Sequence, residues 1–89
     1  MVFVSKIEKL IKRFKNKPKD FSLDELRKLL SSFDYLEDTS GKSSGSRVAW
    51  VHAKTKHIIR LHKPHPGKIL KAYQMNQIMQ ELAKEGLIK

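Results

Sequence analysis

The residues of this chain best suited to chemistry are arginines and histidines on and beside two short apolar runs. Arg47 starts the first run, and the second run contains Arg60 and ends at His62, with His65 close behind. A guanidinium group can donate two parallel hydrogen bonds to a phosphate, and an imidazole can accept or donate a proton near neutral pH. These residue types indicate a site for a phosphate-bearing ligand, with groups able to move protons.

The segment that precedes Arg47 is rich in small polar residues. It reads T-S-G-K-S-S-G-S over residues 39–46. Because glycine allows close approach of the backbone and backbone N–H groups can bind anions, Gly45 and Ser46 are predicted to bring donors to a phosphate. The alternative, that this segment is a plain connecting loop, stays open.

Three other patterns do not meet the requirements of the sites that they resemble. The G-K-S at 41–43 has Leu36 where a P-loop needs its first glycine, and no helix follows it. The G-x-S-x-G match at 41–45 lacks the strand-to-helix turn of a large hydrolase sheet. His62 and His65 are separated by a proline that breaks any helix, and no acidic residue or cysteine lies close by. We therefore expect no metal ion and no other cofactor.

Hydrophobic spacing predicts two helices in the N-terminal part of the chain. The first runs to about Phe14 and ends before Pro18, because proline disfavours helical backbone at the residue before it. The second begins at a capping box formed by Ser22 and Glu25. Lysines cover the other face of the first helix, and the sequence leaves open whether they touch a ligand or only water.

The rest of the chain is predicted to form three strands and a helix. Residues 35–37, 47–52 and 57–62 have the composition of strands, and the last two should pair antiparallel because their link is short. A helix is predicted over about 72–85, with Gly86 ending it in the left-handed conformation. The order helix, helix, three strands, helix predicts a small α+β fold in layers.

Alternation along the strands sorts the candidate residues by face. If the helices cover the side that carries Trp50, then Arg47, Arg60 and His62 lie together on the uncovered side, because side chains alternate between the faces of a strand. This placement predicts a basic site on the open face of the sheet, although ordinary solvent exposure of Arg60 is an equal alternative.

The charge of the chain narrows the class of partner. Nineteen Lys and Arg against nine Asp and Glu give a net charge of +10 in 89 residues. Such a chain attracts polyanions, and nucleic acid is the leading partner, with an anionic membrane surface or an acidic protein as alternatives. Lys68 and Lys71 are predicted to add nonspecific attraction to a nucleic-acid backbone.

Length and composition indicate the number of domains, the relation to membranes and the cellular compartment. The length suits a single domain, 1–89. The longest apolar run, residues 48–51, is far shorter than the ~20 residues of a membrane-spanning helix. The first residues lack the pattern of a signal peptide, and the absence of cysteine fits a reducing compartment. We expect a cytoplasmic protein that does not insert into a membrane.

Over residues 23–88 the sequence resembles the HicA toxins of bacterial and archaeal type II toxin–antitoxin pairs. The resemblance rests on Gly45-Ser46 before the second strand, Pro64-His65-Pro66 after the third, Leu70, Ile78 and the terminal Glu85-Gly86-Leu87-Ile88. It implies a fold like the double-stranded RNA-binding domain, with helices on one face of a three-stranded antiparallel sheet. It also implies ribosome-independent cleavage of mRNA and neutralisation by a HicB-type antitoxin. On this basis residues 1–17 form a helical extension and residues 22–89 form the HicA-like core.

The chain departs from the family at one position. The resemblance implies Gly-Ser-His at the start of the second strand, with that histidine catalytic, but here Arg47 follows Gly45 and Ser46. An arginine stays protonated and cannot serve as a general base, although it can hold the scissile phosphate and stabilise developing charge. Proton transfer would then fall to His62 or His65.

Three interpretations follow from the sequence. The first is a toxin that acts as a metal-independent mRNA endoribonuclease. The second is a noncatalytic nucleic-acid-binding module of the same fold, and the third is an interaction protein whose basic surface is covered by an acidic antitoxin. RNA sequence specificity, oligomeric state and the manner of antitoxin binding are not fixed by the sequence.

Overall fold

The computed structural model describes residues 6–38, 47–64 and 67–88. In chain order these form α1 (Lys6–Lys15), α2 (Leu23–Ser32), β1 (Tyr35–Glu37), β2 (Arg47–His52), β3 (Ile58–His62) and α3 (Ala72–Lys84). The predicted α+β class and the order of elements are confirmed; β3 begins one residue later than expected and α3 ends one residue earlier. None of the helices in these ranges is long and apolar enough to cross a membrane.

The three strands form one antiparallel sheet in the order β1-β2-β3. One face is buried, with Trp50 and Ile59 almost fully enclosed. The alternate residues of β3 point to the other face and are exposed, namely Ile58, Arg60 and His62. On the buried side α2 contacts β1 and α3 contacts β3. The helices therefore cover a single face, as in the double-stranded RNA-binding domain, because the alternating strands supply only one apolar surface.

The start of α2 is fixed by the predicted capping box. The Ser22 hydroxyl accepts a hydrogen bond from the Glu25 backbone N–H at 3.1 Å, and the Glu25 carboxylate accepts one from the Ser22 N–H at 3.0 Å. Phe21 and Leu26, which flank this turn, are fully buried in the core. These bonds satisfy two backbone donors that helix formation leaves without partners.

The end of α3 also follows the prediction. Gly86 has a φ of 76°, and its N–H donates to the Ala83 carbonyl at 3.0 Å. The Leu87 N–H donates to the Leu82 carbonyl at 2.9 Å, which completes a Schellman ending. Leu87 is half-buried and packs against the core, so this turn closes the C-terminal side of the fold.

Helix α1 is joined to the rest of the fold through its last turn. Phe14 is fully buried, with its ring 5.4 Å from that of Phe21, and Arg13 binds the Glu25 carboxylate at 2.8 Å. Ile7, in the first turn, is 37% exposed, so the apolar stripe predicted for this helix is buried only towards its C-terminal end. The extension thus contributes to the hydrophobic core, while the division into 1–17 and 22–89 stays a prediction.

The contact between α1 and α2 predicts a specific acid sensitivity. The hydrogen bond from Arg13, assisted by the Ser22 backbone N–H, holds the pKa of Glu25 below its ordinary value of 4.5. A depressed carboxyl pKa stabilises the fold above the unfolded pKa, and this stabilisation is lost as pH falls through the folded value. At pH 7 we expect Glu25→Gln and Arg13→Met to unfold at a lower urea concentration than the wild type. Between pH 7 and pH 3 the stability of each variant should fall by less than that of the wild type. Equal losses between pH 7 and pH 3 in all three proteins would contradict this.

Candidate functional site

The open face of the sheet carries the predicted basic residues as cross-strand neighbours. Arg47 lies opposite His62 in the β2–β3 register, and Ala49 lies opposite Arg60. Arg47, Arg60 and His62 are all exposed, whereas Ala49 is half-buried between them. The predicted alternation is therefore confirmed for these positions, while the chemical roles assigned to the three side chains stay predictions.

The hydrogen-bond pattern of β2 brings these side chains close together. The Ala49 carbonyl accepts from the Asp38 N–H at 2.8 Å, so the main-chain groups of Ala49, and of Arg47 two residues before it, point towards the β1 side. Arg47 and His62 are therefore a non-hydrogen-bonded pair, for which the Cα atoms lie ~4.5 Å apart. Diagonal neighbours such as Arg47 and Arg60 lie about 7–8 Å apart, within reach of long side chains. Both guanidinium groups can thus reach one phosphate.

Two glutamines of α3 fix the outer edge of β3. Gln74 is buried; its side-chain N–H donates to the His62 carbonyl at 2.8 Å, and its side-chain oxygen accepts from the Lys71 N–H at 3.0 Å. One turn later the side-chain N–H of Gln77 donates to the Arg60 carbonyl at 3.3 Å. Because strand carbonyls at a sheet edge lack partners within the sheet, these amides replace the missing strand.

These elements enclose an open depression of about 480 Å³, which we call the central depression. β1 ends beside it, β2 and β3 cross it, and the first turns of α3 form its far wall. Tyr73 stands on that wall and is 61% exposed. The residues that line it are Asp38, Arg47, Val48, Ala49, Arg60, Leu61, His62, Tyr73, Gln74 and Gln77.

Three of the predicted site residues lie outside the described ranges. Gly45 and Ser46 belong to the segment 39–46, and His65 belongs to the pair 65–66. In the sequence, Ser46 directly precedes Arg47, which lines the central depression, and His65 follows His62 by three residues. Their predicted roles are neither supported nor contradicted by the described geometry.

The two lysines predicted to attract a nucleic-acid backbone are not in the central depression. Lys68 lines a separate depression that also contains Lys63, and Lys71 lines another together with Lys17 and Lys19. A short antiparallel bridge between residues 22 and 69 holds the starts of α2 and α3 together there. Lys68 and Lys71 therefore add positive charge outside the central depression and do not line it.

His52 and His57, which belong to the helix-covered side of the sheet, take part in local packing. His52 is buried, and its Nδ1 atom accepts backbone N–H bonds from the turn that follows it. The Nδ1 atom of His57 is 2.7 Å from the Tyr35 hydroxyl, and its Nε2 atom is 3.5 Å from Glu81 of α3. Burial raises the pKa of Tyr35 to about 12, so this phenol is neutral at physiological pH. Both imidazoles thus support the β2–β3 turn and its contact with α3.

Sequence reasoning missed Asp38 and the residues that α3 contributes, namely Tyr73, Gln74 and Gln77. Tyr73 and Gln77 are four residues apart and so share one stripe of a helix, beside the apolar stripe that contains Ile78. That spacing was available in the sequence, but it does not say which side of the helix lies along the sheet edge. Within the described ranges no group of three or more His, Asp or Glu side chains is placed to hold a metal ion.

The double role of Gln74 predicts a measurable cost for its removal. Gln74→Ala removes two part-buried hydrogen bonds, to the Lys71 N–H and the His62 carbonyl, each contributing about 0.5–1.5 kcal/mol, or about 1–3 kcal/mol together. We expect a loss of this size in the free energy of unfolding, measured by urea denaturation. Gln80→Ala, an exposed position of the same helix, is the matched control and should lose little. Equal stability of the two variants would contradict the proposed clamp.

Comparison with known proteins connects this geometry to a family. The family model for the HicA toxin of bacterial toxin–antitoxin systems matches residues 23–83, which is more than half of the chain and runs from the start of α2 to the last turn of α3. Searches of curated proteins and of solved structures found no match. The matched segment contains Arg47, Arg60, His62 and the glutamines of α3. The chain is therefore a member of the HicA toxin family, whose members pair with an antitoxin.

Proposed function

We propose that this protein is an RNA-binding toxin of a type II toxin–antitoxin pair that cleaves mRNA in the cytoplasm without a metal ion. The observation that carries the proposal is the convergence of Arg47, Arg60 and His62 in the central depression of a HicA-family chain. The net charge of +10 supports attraction of a polyanion to this surface.

The chemistry follows from the side chains available. The RNA 2′-hydroxyl attacks the adjacent phosphorus while a neutral imidazole takes its proton, and the bond from phosphorus to the 5′-oxygen breaks as that oxygen receives a proton from a protonated imidazole. The products are a 2′,3′-cyclic phosphate and a 5′-hydroxyl. Arg47 and Arg60 bind the phosphate and offset the charge that develops on its oxygens. His62 and His65 exchange the protons.

The position of His62 supports its assignment in the absence of the family's usual histidine. Arg47 occupies that histidine's place after Gly45 and Ser46, and His62 is its direct partner on the adjacent strand. Adjacent strands lie ~4.8 Å apart, so the imidazole is displaced by one strand and remains on the same face. Arg47 and His62 can therefore contact the same phosphate from neighbouring strands.

Incubation of the pure protein with mixed mRNA in excess EDTA tests the proposal. We expect cleavage, with fragments that carry 2′,3′-cyclic phosphate ends. His62→Ala or His65→Ala should slow cleavage by about 100-fold or more, because positioned proton transfer contributes roughly 10²–10⁴-fold. Lys84→Ala, at the far end of α3, serves as the control for loss of surface charge and should cleave like the wild type.

Intact RNA at large protein excess would refute cleavage and favour the noncatalytic nucleic-acid-binding module. That alternative is supported by Arg47, a permanent cation at the position where the family resemblance implies a catalytic histidine. It predicts RNA affinity that falls steeply with salt concentration, without cleavage in any buffer. Negligible RNA affinity of the free protein would instead favour an interaction protein that only binds the antitoxin.

The remaining part of the open face supports a HicB-type antitoxin as the partner. Leu36, Val51 and Ile58 lie opposite one another in a row across the three strands. Leu36 is 65% exposed and Ile58 is 41% exposed, directly beside the arginine-bearing half of the face. An exposed apolar row next to concentrated positive charge suits a partner with an apolar centre and acidic surroundings. An acidic antitoxin seated here would cover the central depression as well.

Co-expression with the product of the adjacent gene tests this partner. We expect a stable complex in which RNA cleavage is blocked and growth arrest is relieved. Leu36→Glu should weaken the complex at least tenfold, because a carboxylate would be buried against apolar groups. Ile7→Glu, an exposed isoleucine of α1, is the matched control. Undiminished binding by Leu36→Glu would place the antitoxin elsewhere on the chain.

A further inference from the structure

The wall of the central depression formed by α3 carries an aromatic side chain that RNA cleavage by arginines and histidines does not use. Tyr73 is 61% exposed, although it lines the same depression as Arg47, Arg60 and His62. Its neighbour Gln74 is buried, so the helix turns Tyr73 away from the core and towards the open side. One depression thus offers an exposed aromatic ring together with two guanidinium groups, a combination suited to a ligand with both aromatic and anionic parts.

We propose that Tyr73 is a base-stacking residue that receives an unpaired nucleobase next to the phosphate bound by Arg47 and Arg60. The inference rests on the proposed function, because it assumes that the ligand of the depression is RNA. Single-stranded RNA is bound by pairing a basic track for the phosphates with aromatic faces for the bases. In this chain both requirements are met by residues that line one depression.

The helix turn that carries Tyr73 is attached to the strand that carries Arg60 and His62. Gln74 ties the first turn of α3 to the His62 carbonyl at 2.8 Å, and Gln77 ties the next turn to the Arg60 carbonyl at 3.3 Å. Tyr73 directly precedes Gln74 and shares a helix stripe with Gln77. Because the helix backbone is held and a tyrosine side chain has only two torsions to order, little conformational freedom is lost when a base binds, which favours affinity.

The two tyrosines, Tyr73 and Tyr35, differ in whether a ligand can reach the ring. Tyr35 is buried, and its hydroxyl is engaged with His57, so it offers no face to a ligand. Stacking uses the ring and not the hydroxyl, and it tolerates any base because every base has a π-face. Stacking on Tyr73 therefore predicts that the protein binds unpaired RNA more tightly than duplex RNA and has no strong preference for one base.

Binding to uncleavable probes tests the inference separately from catalysis. The probes are a single-stranded 2′-O-methyl uridine octamer, whose blocked 2′-oxygen prevents cleavage, and an abasic chain with the same number of phosphates. Fluorescence anisotropy at one fixed salt concentration gives both affinities. We expect the wild type to prefer the base-bearing octamer and Tyr73→Ala to lose about 5- to 100-fold in affinity for it, the range that one stacked base contributes. Affinity for the abasic chain should stay unchanged.

Two further variants complete the experiment. Tyr73→Phe keeps the ring and should bind like the wild type, whereas Gln80→Ala controls for substitution on α3. Equal affinity of Tyr73→Ala and wild type for the octamer would overturn the inference and leave the RNA-binding proposal intact. An equal loss for both probes would also overturn it, since this would indicate an effect on fold or charge. Failure of the wild type to bind either probe would overturn both proposals.

Discussion

The geometry of the candidate site depends on one buried amide. Gln74 connects the start of α3 to the last residue of β3 by donating to the His62 carbonyl and accepting from the Lys71 N–H. Without it, an amphipathic helix would still cover the apolar face, but the start of α3 would lose its attachment to the end of β3. The hydrophobic core decides that α3 packs on the sheet, and this polar contact decides which of its residues face the depression.

The elements were largely predictable because each carries a local signal. The capping box at Ser22, the left-handed Gly86 and the alternation around Trp50 act over a few residues, and the structure contains all three. The faces of β2 and β3 followed from period-two geometry once the covered side was assumed. Local chemistry and hydrophobic period therefore give the order of elements and the open face.

What the sequence did not reveal depends on contacts between distant segments. Tyr73 and Gln77 reach the site only because α3 lies along the outer edge of β3, and no spacing in the sequence encodes that position. The burial of Gln74 was equally hidden, since a glutamine on a helix is usually exposed. Ile7 shows the opposite failure, because helical spacing suggested burial but the first turn of α1 extends beyond the core.

The proposed function gives Arg47 and His62 separate roles, because Arg47 stands where the family resemblance implies a histidine. A histidine can both bind a phosphate and move a proton, whereas an arginine can only bind. The cross-strand register places an imidazole directly opposite, and in the proposed mechanism binding and proton transfer therefore fall to two side chains instead of one. Such a separation is possible only where neighbouring strands present their side chains to the same face.

The glutamine bonds to β3 also influence how the sheet can grow. A free strand edge is a template for another strand, from a second copy or from a partner. Here the outward carbonyls of Arg60 and His62 already have donors from the same chain, so a strand approaching from that side would have to displace both. Extension of the sheet is thereby directed to the three-residue β1, where only a short pairing is available. The β3 side of the central depression is thus less open to pairing with another strand.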